Sequence, residues 1–315
     1  MFPWLRAHWI GVGLLIAVMA GVAVTAISFF TASLLLDHRG PHSAVTPADS
    51  GMAYQTVPLG ARDGTRLEGW WIPPSPANRR PDLAVVVLAH AEDGPWTLVR
   101  PGVLVSGKAR MLRHAAWLHR AGFIVLAFDF RSYGGSEGTR TTGGYLEQQD
   151  LEAAIRLAHE RALGAPVAVL GEGMGATVAL AVAARDSSIV GVVADSPGAR
   201  WMDGMARVDS AGRGGPWWSR VAVGPLVGAV VAREIGRGYP GGGGHEQIDV
   251  WEAENSRVML MPGRPGSIFD QGWRSQLRVL DFLYSKVGAP KEEFEPLPTM
   301  TVPPELPSAI GVIPN

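Results

Sequence analysis

The sequence predicts an α/β domain with a mostly parallel sheet and helices on both faces. Four short runs are apolar throughout rather than alternating, Leu83 to Ala89, Phe123 to Phe128, Val167 to Leu170 and Ile189 to Ala194, and Val258 to Met261 is a shorter fifth. Strands buried on both faces have this composition, as in a parallel sheet between helical layers. Helical stretches alternate with or follow them, namely Ala109 to Arg120, Tyr145 to Ala162, Met174 to Ala184 and Trp273 to Tyr284. That order is the pattern of a doubly wound fold. Ahead of it, Tyr54 to Pro58 and Arg66 to Ile72 flank the turn dipeptide Asp63-Gly64 and read as an antiparallel hairpin on the sheet edge.

Composition bounds the rest. The chain has 315 residues, 47% of them hydrophobic, with 40 glycines and 24 prolines. Glycine and proline together stay below the level that marks low-complexity disorder, so a packed core is expected. Lys plus Arg number 28 against 29 Asp plus Glu, a net charge of -1. There is no basic excess to neutralise a phosphate backbone, and nucleic-acid binding is not expected. With no cysteine, disulfides, iron-sulfur clusters and a thiol nucleophile are excluded. No cofactor or metal site is expected, and His38 and His42 are too isolated to form one.

Trp9 to Leu36 is a stretch of 28 residues without an ionisable side chain. As a helix it would be about 42 Å long against a hydrocarbon core of roughly 30 Å, so residues 1–36 are expected to be a single-pass anchor rather than a cleaved signal. Trp4 and Trp9 suit the interface. Arg6 with the amino terminus, set against Arg39, favours an internal N-terminus and an extracytoplasmic domain. Gly13, Ala17, Gly21 and Thr25 form a small-residue ribbon of the kind that lets membrane helices approach closely. A polar linker over 37–52, the α/β domain over 53–288 and a tail over 289–315 complete the organisation.

Several motifs carry a family resemblance. Val86 to Ala91 ends in His90-Ala91; Asp129-Phe130-Arg131-Ser132-Tyr133-Gly134-Gly135-Ser136 follows the next run; and Gly171-Glu172-Gly173-Met174-Gly175 joins a strand to a helix. In this order they resemble the His-Gly oxyanion turn, the D-x-R-G-x-G-x-S loop and the G-x-S-x-G nucleophile elbow of the α/β-hydrolase superfamily, including its membrane-anchored serine hydrolases. Ala91 stands where glycine is usual, and Ser132 replaces another glycine.

The resemblance puts the triad at positions that lack its chemistry. Gly173 occupies the nucleophile position, and a glycine has no group to attack a carbonyl. Pro262 to Gly266 resembles the turn that carries the acid, with Gly266 at the aspartate. None of the eight histidines follows that turn, so the base is absent. A degenerate triad and no hydrolase activity are expected. The resemblance implies a residual oxyanion geometry, from the N-H of Met174 and of Ala91, which suits a carboxylate or carbonyl oxygen. A relocated set of Ser196, Asp195 and His245 is the alternative, although Asp195 and Ser196 also read as turn caps, and His245 as a loop histidine. His90 reads as a turn-stabilising side chain, and Asp129 with Arg131 as a tie between loop and sheet.

Two segments lie outside this frame. The lid region, about 198–255, holds Trp217-Trp218 and the apolar Val221 to Ala232, which suit a lid or a surface that meets a membrane or membrane protein. Pro290 to Asn315 has seven prolines in 26 residues among Phe294, Leu297, Met300 and Ile310, the composition of an extended docking arm. The expected function is a catalytically inactive, membrane-anchored protein, an accessory or interaction subunit of a membrane assembly with partners at the span, lid or tail. An esterase, lipase or thioesterase-like hydrolase with relocated residues is the first alternative, and an acyl or carboxylate-binding module the second.

Overall fold

The fold is given by a computed structural model, which describes residues 11–26, 45–78, 84–91, 107–197, 257–261 and 273–287. Gly266, His245, the lid region and the tail lie outside the described residues.

Residues 11–26 form helix α1. Its large apolar side chains stand in the open, from Val12 at 46% exposure to Leu14 at 68%. Among the described residues no helix is long and apolar enough to cross a membrane. The rest of the expected span, residues 9–10 and 27–36, lies outside them.

The domain then builds a sheet from strands β1 (Gln55–Gly60), β2 (Arg66–Ile72), β3 (Val85–Ala89), β4 (Ile124–Phe128), β5 (Val167–Glu172), β6 (Ile189–Asp195) and β7 (Val258–Met261). Their spatial order is β1-β2-β4-β3-β5-β6-β7. The expected hairpin forms, with β2 running antiparallel to both β1 and β4, and every later pairing is parallel. Helices α2 (Gly107–Arg120), α3 (Glu147–Arg161), α4 (Met174–Ala183) and α5 (Trp273–Val287) cover it.

Period-two alternation divides the strands between two cores. Val85, Val87, Val167, Val169 and Val192 pack with α3 and α4. Val86, Leu88, Ala168, Leu170 and Val193 pack with α2 and α5. All five residues of β3, the central strand, are buried, which is why the parallel strands read as unbroken apolar runs.

The linker expected over 37–52 is packed over its last part. Thr46 and Asp49 form a capping box around a 3-10 turn, Pro47–Ser50, and Met52 is buried against the α2 side of the sheet. The entry to the domain is therefore fixed. Proline at the first position of the turn suits its preset φ.

A polar pin holds the loop after β4. The Arg131 guanidinium donates to Asp150 of α3 and, through Nη1, to Asp63 of the hairpin turn at 2.7 Å. Burial would raise Asp63, but the Arg131 and Thr65 hydrogen bonds outweigh it and hold the carboxyl at about 2. Asp150 goes the other way, because its burial outweighs the same guanidinium and pushes it up.

Candidate functional site

The C-terminal ends of β3, β5 and β6 meet at the strand-to-helix turn around Gly173. This residue caps α4 at φ 57° and ψ -117°, a conformation that glycine enters without the steric cost of a Cβ. Its N-H donates to the carbonyl of Asp195 at 2.9 Å, which ties the turn to β6.

The two flanking glycines are fixed by space rather than by φ. A Cβ on Gly171 would lie 2.5 Å from the Gly175 carbonyl oxygen, and one on Gly175 would lie 2.1 Å from that of Ala89. The turn therefore has the close strand-helix approach of a nucleophile elbow, with glycine at its tip. A Cβ on Gly173 would meet only Ala91, at 3.1 Å from its Cβ. Position 173 has room for a small side chain if Ala91 yields slightly.

The suggested oxyanion donors lie beside this tip. Met174 is the first residue of α4, where backbone N-H groups have no intrahelical acceptor. Ala91 follows His90, whose Nδ1 lies 2.7 Å from the Ala91 carbonyl oxygen. The Nε2 of the same ring accepts the Phe130 N-H at 3.1 Å. With Nε2 the acceptor, Nδ1 is the donor to the Ala91 carbonyl, so both nitrogens are engaged. His90 stabilises the turn, as the sequence suggested, and has no free nitrogen for proton transfer.

Asp195 and Ser196 stand next to the elbow because Glu172 and Asp195 are register partners. The Ser196 hydroxyl donates to Asp195 Oδ1 at 2.9 Å, and its N-H donates to the Met261 carbonyl at 3.0 Å. Ser196 has φ 50°, shared among non-glycine described residues only with Ser132 at φ 66°. Positive φ at Ser132 explains why the resembling loop favours glycine there. The third member of the relocated set, His245, is outside the described residues.

Sequence reasoning missed one contact, that of Glu172 with His114. Alternation puts Glu172 and Asp195 on the α2 and α5 side of the sheet. Glu172 Oε2 lies 3.7 Å from Nε2 of the buried His114 on α2. The signal was a charged residue ending each of two apolar strands, but its histidine partner is 58 positions upstream and only the fold brings them together. The loop tie was half read: Asp129 accepts the Gly135 N-H, while Arg131 reaches Asp150 and Asp63 instead. Among the described residues no group of His, Asp and Glu could hold a metal ion.

Comparisons with known proteins agree on the fold. A sequence model of the serine aminopeptidase S33 family matches residues 105–234. An uncharacterised protein of Escherichia coli O157:H7, YfhR, is 33% identical over 130 residues, 41% of this chain and 41% of its own length. A second uncharacterised protein, MT2364 of Mycobacterium tuberculosis, is 30% identical over 183 residues, 54% of this chain and 56% of its own. The chain thus spans about half the length of the curated relatives it matches, or less. Solved structures of a Pyrococcus furiosus esterase, Pf2001, superpose with a TM-score of 0.60 at 24% identity, covering 81% of this chain and 99% of that one. A second crystal form gives 0.57 at 25% identity, covering 80% and 100%. The strand order, the elbow and these superpositions together give the chain an α/β-hydrolase fold.

Proposed function

We propose that this chain uses an α/β-hydrolase fold for binding rather than for covalent hydrolysis, as an accessory or interaction subunit. The observation that carries the reading is Gly173 at the tip of an otherwise complete elbow. A serine at that tip would carry the acyl group, whereas glycine offers a backbone turn and no nucleophile. The engaged nitrogens of His90 support the reading, because they leave that ring no role as base. The surface left at the mouth, with the helix N-terminus at Met174, fits a carbonyl or carboxylate oxygen of a partner or ligand.

The comparisons favour a second reading more than this one: an esterase, lipase or thioesterase-like hydrolase with relocated catalytic residues. Its support is the likeness to the Pyrococcus furiosus esterase and the Ser196 hydroxyl on a fully buried carboxylate beside the elbow. One experiment separates the two. The full-length protein is treated with a fluorophosphonate probe and assayed against p-nitrophenyl esters and acyl thioesters of several chain lengths. The binding reading expects no stoichiometric labelling and turnover no faster than buffer. Labelled serine, mapped by mass spectrometry, together with turnover lost on mutating that serine, would establish the hydrolase.

A further inference from the structure

The hairpin between β1 and β2 turns through Ala61-Arg62-Asp63-Gly64-Thr65. An aspartate followed by glycine is chemically exposed, because no Cβ on the second residue shields its nitrogen from the aspartate side chain. When the Gly64 nitrogen attacks the Asp63 Cγ, an N-C bond forms and the carboxyl C-O bond breaks, and the hydroxyl leaves with the amide proton as water. A five-membered imide results. Water then opens it at either carbonyl: one route restores aspartate, and the other runs the backbone through Cγ as isoaspartate. The first step needs a neutral carboxyl, whose hydroxyl is the leaving group. It also needs an amide nitrogen that has given up its proton, since the planar peptide otherwise holds its lone pair.

The turn withholds both. Asp63 Oδ2 accepts from Arg131 Nη1 at 2.7 Å, and Oδ1 accepts the Thr65 N-H at 3.1 Å. The Gly64 N-H donates to the Ala61 carbonyl at 3.0 Å, which keeps its proton in place. Against the pull of partial burial, the Arg131 and Thr65 hydrogen bonds hold the carboxyl at about 2 rather than its ordinary 3.8. The neutral acid is therefore scarcer by roughly ten- to hundredfold. Burial is not the protection, because the Asp63 side chain is 34% exposed and water reaches it. The guard is also rigid. Nε and Nη2 of Arg131 donate to Asp150, a fully buried carboxylate, so the guanidinium cannot follow a side chain that swings outward.

We propose that Asp63 is a latent isoaspartate site that Arg131 keeps closed, so that the pin on the loop after β4 is also a chemical guard on the hairpin turn. Isomerisation there would add a methylene to the turn's backbone and carry the carboxylate off the guanidinium. The loop after β4 would then lose one of its two carboxylate anchors permanently. The inference is independent of whether the mouth at Gly173 binds or hydrolyses.

Full-length protein and a synthetic peptide spanning Leu59 to Leu67 are aged side by side in neutral buffer made with heavy-oxygen water, which labels each imide opening. Chromatography and mass spectrometry of the digests then count isoaspartate and label at Asp63. The folded chain should isomerise at least about tenfold more slowly than the peptide. Arg131→Met with Asp150→Asn removes the guard without stranding a buried charge, and it should bring the rate at Asp63 toward that of the peptide while the urea transition is retained. Should that variant show no urea transition, Arg131→Lys decides in its place, because an ammonium keeps a charge for Asp150 but lacks the fork that holds two carboxylates. A parent protein that isomerises as fast as the peptide would overturn the proposal, and so would a folded variant that keeps the parent's rate.

Discussion

A methyl group placed on Gly173 would stand 3.1 Å from the Cβ of Ala91. In the motifs this chain resembles, the elbow carries a side chain and the facing turn a glycine; here the two are exchanged. The Cβ absent from 173 is matched by one present at 91, so the space over the elbow stays occupied.

That exchange makes the two positions energetically coupled. Gly173→Ser alone should lower stability by about 1 to 3 kcal/mol, because a Cβ is forced into a positive-φ turn and against Ala91. Adding Ala91→Gly should recover the steric part, leaving a favourable interaction energy in the double-mutant cycle. Urea denaturation of the four proteins measures it. Strictly additive effects would mean that Ala91 yields freely. Neither variant should gain esterase activity, since the new hydroxyl has no base at His90.

Gly171 and Gly175 should be far less forgiving. A Cβ at either position meets backbone at 2.1 to 2.7 Å, and backbone cannot swing aside as a side chain can. Alanine at Gly175 should cost about 3 kcal/mol or more through overpacking, and Gly171→Ala a similar amount. The rank order is the sharper statement: both should destabilise more than Gly173→Ala in thermal or urea unfolding. A milder effect at 175 than at 173 would contradict the close strand-helix approach.

The ion cluster at Arg131 predicts a pH signature. Asp63 is held at about 2, below its ordinary 3.8, so the unfolded chain binds its proton first on acidification. The stability it contributes is present above pH 3.8 and is lost as pH falls toward 2. Asp150 is raised, so the folded state takes up its proton first and its contribution has the opposite sign, favouring the fold as pH falls through that value. Asp63→Asn should therefore be most destabilising near neutrality, with its deficit shrinking between about pH 4 and pH 2. Arg131→Met should cost about 3 to 5 kcal/mol near neutrality, because it strands the Asp150 carboxylate, fully buried, without its cation. That deficit should narrow on acidification as Asp150 becomes neutral.

The sequence made the parallel strands legible because burial on both faces leaves no alternation to misread, and the Asp63-Gly64 dipeptide located the hairpin. The elbow was legible from its glycines, since Gly171 and Gly175 answer to backbone contacts that any residue with a Cβ would violate. Other features depend on distance in the fold. Arg131 finds Asp63 across 68 positions and Asp150 across 19, and no spacing rule links such partners. His114 meets Glu172 for the same reason. The packed 3-10 turn at Pro47–Ser50 was read as linker because polar residues dominate it, although Thr46, Pro47 and Asp49 together are the signature of a capped turn.

His90 offers the last test. Its ring bridges the ends of two strands, Nδ1 on the Ala91 carbonyl and Nε2 on the Phe130 N-H, with Phe130 and Tyr133 edge-on to it at centroid distances of 5.0 and 4.9 Å. Replacing it with phenylalanine keeps the aromatic contacts and removes both hydrogen bonds. The Phe130 N-H is then buried without its acceptor, and His90→Phe should cost about 1 to 3 kcal/mol. Asparagine loses the ring contacts but offers a donor and an acceptor of its own; glutamine reaches further and should restore more of the loss than asparagine does. A structural role requires that stability, followed by urea unfolding, ranks the variants glutamine above phenylalanine. If His90→Phe were instead as stable as the parent while some measured esterase turnover vanished, the ring would be acting as a base, and its bonds to Ala91 and Phe130 would have to open during the reaction.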